Sequence, residues 1–494
     1  MGGCVRTGGC YGCGRKQSHN QGEVPPPRGH VPPSPDEEAS QRALVELLRR
    51  LSSGTIGKRP FYIRSVAVEG NDATRLDVIE AELKAALEAG TLEEVLNELV
   101  EAQARLACMD LFKSIDVHCD EAKGDHGRAQ ATDVTIVVEE RNRLTAKTGT
   151  TVDVNDGNVM AAVYLRNLFG AGERLEVDWS TGTKVTSFFK AAYTKPNLAN
   201  YGEEWQVAAF KDNTDFQAVS SFNVKTKGVT LTYTIPTAYF DHIVGYAGVW
   251  REVCKLPDNA SFSIRSMAGH SVKSAITHAA VMERRDDPVL PRSGYALKIS
   301  QELAGLGGSA AFLKHEAKAS ASVTVAGRWT LTGLVAGGLV VPLMADGLST
   351  VDAFHLGGSM DVRGFQTFGI GPHAPRKLLS RAAPVAAADA HHSDAVGGDA
   401  YWKACLHLYH RLHDTWGIYG QAFVNAGNLL LAAQSPRRFA SRDLVSQARV
   451  AVGAGLAFRT AIGLVELNYT VPLRTMPGDR VQHGFQFGIA LNYF

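Results

Sequence analysis

An arginine set among glycines is the residue in this chain whose setting most asks for an explanation. Arg363 stands in "HLGGSMDVRGFQTFGIG" (residues 355–371), between Val362 and Gly364-Phe365, with Gly357 and Gly358 shortly before it. A guanidinium offers five donors in one rigid plane, and its setting leaves a catalytic loop, a phosphate cradle and a packed plug open. Glycines at these places let a backbone lie close against a wall, and Phe365 has the bulk to pack it there. Four other constellations have residue types that could carry chemistry. Cys10 and Cys13 form a CxxC with no second pair, half of what a structural zinc site needs. "GHSVK" (residues 269–273) has Lys273 where a nucleophile elbow needs its second glycine. "GLGGSA" (residues 305–310) imitates a dinucleotide fingerprint but lacks a strand–helix–strand setting, and reads as a hairpin turn. His391-His392 lies in a low-complexity run. The expectation is a protein that is not an enzyme, with no metal and no cofactor.

The bulk of the chain narrows the choice by exclusion. Its 494 residues carry 51 basic and 50 acidic side chains, so no net positive field exists to collect the phosphates of a nucleic acid. No apolar run reaches the length of a spanning helix. The nearest, "WTLTGLVAGGLVVPLMA" (residues 329–345), is broken by glycines, threonines and a proline, and reads as strand. Seven cysteines, an odd number scattered over the chain, read as free thiols rather than a disulfide framework. Residues 1–36, rich in Gly, Cys and Pro, match neither a signal nor a transit peptide and read as a disordered tail. Gly2 invites myristoylation, but Arg6 occupies the place where Ser or Thr is preferred.

The elements that must hold Arg363 come in two textures. After a helical lead-in (residues 37–60), "FYIRSVAVEGN" alternates and ends in a turn at Gly70-Asn71. Leu76, Ile79, Leu83 and Leu87 then recur at helical spacing. Thr91 with Glu94 forms a capping box for a second helix striped by Leu92, Val95, Leu96 and Leu99. "SIDVHC" and "DVTIVVEE" follow as strands, so residues 61–142 read as β-α-α-β-β, a small sheet with two helices on one face. Beyond Arg143 a period of two takes over. "VTLTYTI" opposes Val229, Leu231, Tyr233 and Ile235 to three threonines, and "VELNYTV" sets Val465, Leu467, Tyr469 and Val471 against Glu466, Asn468 and Thr470. Such strands fit a soluble sandwich with its apolar face inside, or a membrane barrel with that face in lipid. Residues 143–494 form a long run with no second core signal, which favours the barrel. Its ending at Phe494, directly after an alternating strand, fits closure of the last strand on the first.

The residues from Phe61 onward resemble the barrel-assembly superfamily of bacterial and organellar outer membranes. They resemble most the core barrel subunits of the mitochondrial sorting and assembly machinery. The resemblance rests on "VRGF" (residues 362–365), on "ERRDDPVLPRSGYALK" (residues 283–298) with Asp287, Pro291 and Gly294 in order, on "GGDAYW", on "FVNAGN" (residues 423–428) and on "VELNYTVPL". It implies a transmembrane β-barrel of 16 antiparallel strands preceded by one small α+β polypeptide-transport-associated (POTRA) domain, with a lumen loop near residues 355–400. It implies that Val362, Arg363, Gly364 and Phe365 lie in that lumen, backed by Gly357 and Gly358 and facing a wall motif of Phe423, Asn425 and Gly427. Asn425 stands where bacterial relatives carry aspartate, which leaves the ion-pair partner of Arg363 open. Residues 376–396 read as an insertion in the loop.

The function implied is insertion of β-barrel precursors into the mitochondrial outer membrane through a lateral seam. The first strand (about 144–154) and the last (484–493) form that seam. Gly484, Gln486, Gly488, Leu491 and Tyr493 fit the family's sorting signal, and strand glycines weaken pairing. Implied partners are barrel precursors, accessory subunits of the sorting and assembly complex, intermembrane-space chaperones and membrane lipid. The alternative is a plastid-envelope or polypeptide-translocating relative.

Overall fold

A computed structural model describes residues 60–121, 130–152, 157–182, 187–197, 202–344, 347–377, 393–413, 417–431, 446–460 and 463–490. The expectations for the tail, for most of the lead-in, for His391 and His392, and for Leu491 and Tyr493 fall outside them.

The N-terminal unit runs β1 (Phe61–Glu69), α1 (Leu76–Glu88), α2 (Leu92–Cys108), β2 (Phe112–Glu121) and β3 (Gln130–Glu140). Its sheet has the order β1-β3-β2, with β1 parallel and β2 antiparallel to β3. Both helices bury one face on the sheet, in a core that includes Val78, Ile79, Leu83, Val95, Leu99, Leu106, Val134 and Ile136. The apolar stripe of α1 differs from the expected one: Leu76 and Leu87 are exposed, and Val78, Ile79, Glu82, Leu83 and Ala86 face inward. Glu82 joins that face because Arg105 of α2 meets its carboxylate at 2.9 Å. The cap of α2 is also shifted. Thr91 Oγ1 accepts from the Glu94 amide at 3.3 Å, but the Glu94 carboxylate accepts from Gly90, one residue before the cap, at 3.1 Å. Among the cysteines Cys119, Cys254 and Cys405 are free, whereas Cys108 is disulfide-bonded. Separation along the chain, on which the free-thiol reading rested, does not measure separation in space.

The larger sheet begins with β4 (Leu144–Val152), β5 (Gly157–Arg166), β6 (Arg174–Gly182), β7 (Ser187–Pro196) and β8 (Glu204–Asp215). It continues through β9 (Asn223–Pro236), β10 (Asp241–Cys254), β11 (Gly269–Glu283), β12 (Gly294–Gly308), β13 (Phe312–Ala326) and β14 (Trp329–Pro342). A loop over residues 343–399 carries a small hairpin of β15 (His373–Pro375) and β16 (Ser393–Ala395). Then come β17 (Ala400–His413), β18 (Ile418–Leu430), β19 (Arg449–Thr460), β20 (Gly463–Arg474) and β21 (Gly484–Ala490). These 16 strands form one antiparallel sheet in chain order, β14 pairing β17 across the loop. β4 and β21 are its two ends, and among the described residues no ladder joins them.

Burial decides between sandwich and barrel. On β20, Glu466, Asn468 and Thr470 are at most 2% exposed, while Leu467, Tyr469 and Val471 are 40–52% exposed. Val229 and Leu231 of β9, Val335 of β14 and Val424 of β18 are exposed in the same way. A soluble sandwich would bury that face; a barrel in lipid turns it outward and keeps its polar residues inside. The fold is a transmembrane β-barrel. Among the described residues no helix is long and apolar enough to cross a membrane.

Candidate functional site

The lumen loop places Arg363 among buried groups. The side chain is 1% exposed, and its Nη2 donates to Glu466 Oε2 of β20 at 2.6 Å. Its guanidinium carbon lies 4.9 Å from the centre of the Phe423 ring on β18, within cation–π range. His407 Nε2 of β17 lies 3.4 Å from Nη1. Glu466 also accepts from Asn468 Nδ2 at 2.8 Å, and Asn468 Oδ1 accepts from Gln421 Nε2 at 2.6 Å. The ion pair thus ends a polar chain along the inner wall, where low dielectric strengthens every bond that is made.

The residues around Arg363 press against the same wall. Val362 and Phe365 are fully buried, packed with Leu356 and Ile370. Gly427 leaves room for them, since a Cβ there would stand 3.1 Å from Leu356 and 3.3 Å from Val362. Gly364 has φ +91°, and a Cβ on it would meet that of Ala451 at 2.9 Å. Glycine is required there by both backbone and space. The Gly364 amide donates to Gln486 Oε1 of β21 at 2.9 Å, and its carbonyl accepts from Gln482 at 2.9 Å. Gln486 also accepts from Thr470 at 2.9 Å and donates to the Phe365 carbonyl at 3.4 Å. Gly488, one step along β21, lies under the loop: a Cβ would come within 2.4 Å of Met360 Sδ. The loop is therefore seated on the last two strands of the barrel.

The other sequence-selected residues fall differently. Gly357 turns the loop on itself, its ideal Cβ 2.8 Å from the Gln366 carbonyl, and Gly358 faces Thr367; neither meets the wall. Gly484 starts β21 at φ +94° with nothing near it. Asn425 is fully buried opposite Cys405 and Ala451, and its amide makes no hydrogen bond among the described residues. It is not the partner of Arg363; Glu466 is. Glu466 and His407 escaped the sequence reading. The signal for Glu466 was present, as the lone acid on the polar face of "VELNYTV". Which lumen residue it met could not be read from one strand.

Buried ion pairs hold the loop and the turn beside it. Arg251 of β10 meets Asp352 of the loop at 2.8 and 3.1 Å, and Arg449 of β19 meets Asp479 of the β20–β21 turn at 2.9 Å. Asp394 of β16 accepts from Ser221 Oγ at 2.6 Å and the Ser261 amide at 2.8 Å, tying the hairpin to two turns at the rim. The β11–β12 turn (residues 284–293) approaches the loop from the opposite end of the barrel. Val289 and Leu290 pack on Tyr409, Ala457 and Leu464, with Met360 against the same cluster. Asp287 shapes this turn by accepting from the Val289 amide at 2.8 Å, and pairs with Arg459 of β19 at 2.5 Å. The lumen is filled from both ends.

Comparison with known proteins gives this geometry a family. Residues 167–493 match the Omp85 superfamily domain. The sorting and assembly machinery component 50 homolog of Bos taurus is 34% identical over 91% of this chain and 94% of its own length. The homolog of Homo sapiens is 33% identical with the same coverage. The chain belongs to this family of the Omp85 superfamily. In fold it is similar to BamA from Haemophilus ducreyi, with a TM-score of 0.71 at 18% identity, covering 86% of this chain and 84% of that one. The Omp85 match begins in the β5–β6 turn and so spans nearly the whole barrel, including the loop, Glu466 and the last strand.

Proposed function

We propose that the protein inserts β-barrel precursors into the mitochondrial outer membrane by lending them the edge of its own last strand. The observation that carries this reading is the divided state of β21. One edge is paired with β20 and its lumen face is held by the loop through Gln486 and Gly488, while among the described residues no ladder joins it to β4. An unpaired strand entering lipid loses several kcal/mol for each unsatisfied backbone group. A client strand that adds to β21 or β4 exchanges hydrogen bonds instead of losing them.

In this reading Arg363 and its loop are positioning elements that hold β20 and β21 in place while the other side of the seam opens. The N-terminal unit serves as a POTRA domain on the intermembrane-space side, where the outer edge of β2 offers a client or a chaperone a strand to pair with. Client barrels and accessory subunits of the sorting and assembly complex are its partners. The test is an assembly assay. Mitochondria depleted of the protein receive labelled porin precursor, and assembled complex is read on a native gel. Lost assembly with matrix import spared supports the reading; normal assembly refutes it. Cysteines that cross-link β4 to β21 distinguish the seam from the function as a whole: assembly that persists through a locked seam removes the seam alone.

A further inference from the structure

The lipid-facing wall carries a feature that insertion does not require. Lys211 of β8 and Lys227 of β9 are directly opposite each other across the antiparallel pair, both exposed. Like charges in that relation repel, because their Cβ atoms stand only about 5 Å apart. Neither has an acidic partner among the described residues, although Lys225, the next outward lysine on β9, pairs with Glu252 at 3.1 Å. The pair lies toward the end of the barrel away from the N-terminal unit, four residues from the end of β8 at Asp215 and from the start of β9 at Asn223. Lys227 sits 5.4 Å from the ring centre of Trp250, and tryptophans of membrane barrels are enriched at the bilayer interface.

Beneath the two lysines an open groove of about 560 Å³ runs down the outer wall. Phe189, Tyr246 and Trp250 line it beside Ala209, Val229 and Gly248, whose small side chains leave the space. The Tyr246 hydroxyl is bonded to Ser274 at 2.8 Å, which satisfies its polar end within the wall.

We propose that this groove binds one anionic phospholipid of the leaflet opposite the N-terminal unit. Its phosphate sits between Lys211 and Lys227, and an acyl chain lies in the groove over Gly248. The charge pair is then neutralised by the ligand, and the missing side-chain volume is filled by hydrocarbon. The site is independent of the seam and of client insertion.

Native mass spectrometry of the full chain in detergent tests it, with phosphatidylglycerol competing against phosphatidylcholine. Each lysine near an anionic surface gives about a fivefold gain, so the pair predicts a preference of roughly twenty-five-fold for one retained phosphatidylglycerol. Lys211→Gln with Lys227→Gln abolishes that preference, and Gly248→Phe, which fills the groove, lowers retention of both lipids. Lys195→Gln, removing a lysine at the other end of the barrel, leaves it unchanged. A wild-type chain without preference, a preference surviving the double substitution, or an equal loss in Lys195→Gln overturns the proposal. Displacement by millimolar inorganic phosphate also overturns it, since the site would then take the free anion.

Discussion

At 1% exposure the Arg363 guanidinium has left water, and the Glu466 carboxylate at 2.6 Å is what makes that tolerable. Removing one partner of a buried pair leaves the other charge uncompensated, at about 3–5 kcal/mol. Arg363→Ala and Glu466→Ala are each expected to destabilise the barrel on that scale, read by denaturant unfolding in detergent. The double substitution should cost much less than the sum of the two, because no lone charge remains. Additive losses would mean the pair is not coupled. Gly364→Ala should be costly although it adds one methyl, since φ +91° and the 2.9 Å approach to Ala451 both oppose it. The left-handed backbone alone disfavours a side chain by about 1–2 kcal/mol. The expected readout is lower thermal stability and faster protease cleavage within the loop.

Two turns fix where larger parts of the molecule sit, one for the loop and one for the N-terminal unit. The β11–β12 turn wedges Leu290 into the cluster of Tyr409, Ala457 and Leu464 that also meets Met360. Leu290→Ala is expected to cost about 2–5 kcal/mol, as a buried leucine truncation does, and to raise protease access to the tip of the lumen loop. Unchanged loop access would show that turn and loop are held independently. The β5–β6 turn performs the matching task for the N-terminal unit. Asn167 Nδ2 donates to Thr74 Oγ1 at 2.8 Å, the Arg75 amide donates to the Gly170 carbonyl at 2.9 Å, and a Cβ on Gly170 would meet the Ala73 carbonyl at 2.8 Å. Gly170→Val should release the unit from the barrel while leaving each folded. Protease cleavage near residues 141–143 would report the release, and an uncut junction would argue against it. The helices and strands of that unit were legible from capping and period, but this docking was not. The hydrogen bond from Asn167 to Thr74 joins residues that no local pattern relates.

Over the whole molecule, stability should be lowest where the sheet ends. β4 and β21 each have one neighbour in the ladder, whereas β10 to β13 have two. Amide hydrogen exchange in detergent is therefore expected to be faster in β4 and in the outer edge of β21 than in β10–β13, and equal protection would argue for a fully zipped barrel. Alternation such as "VELNYTV" determined that strands of two faces exist, because side chains alternate whatever the strand packs against. Helical spacing and the capping residues determined the small α+β unit in the same local way. The motifs from Phe61 to Phe494 carried the family, and with it the lumen loop. The direction of each face was left open, since an alternating strand reads the same in a sandwich and in a barrel. Only the exposure of Leu467 and Tyr469 beside buried Glu466 settled it. The same holds for the pairings that define the site. Arg363 and Glu466 are 103 residues apart, and Gly364 and Gln486 are 122 apart. Lys211 and Lys227 oppose each other only through strand register. Local periodicity specifies elements, but which side chains share a lumen or a groove is fixed by closure and register, and these belong to the folded sheet as a whole.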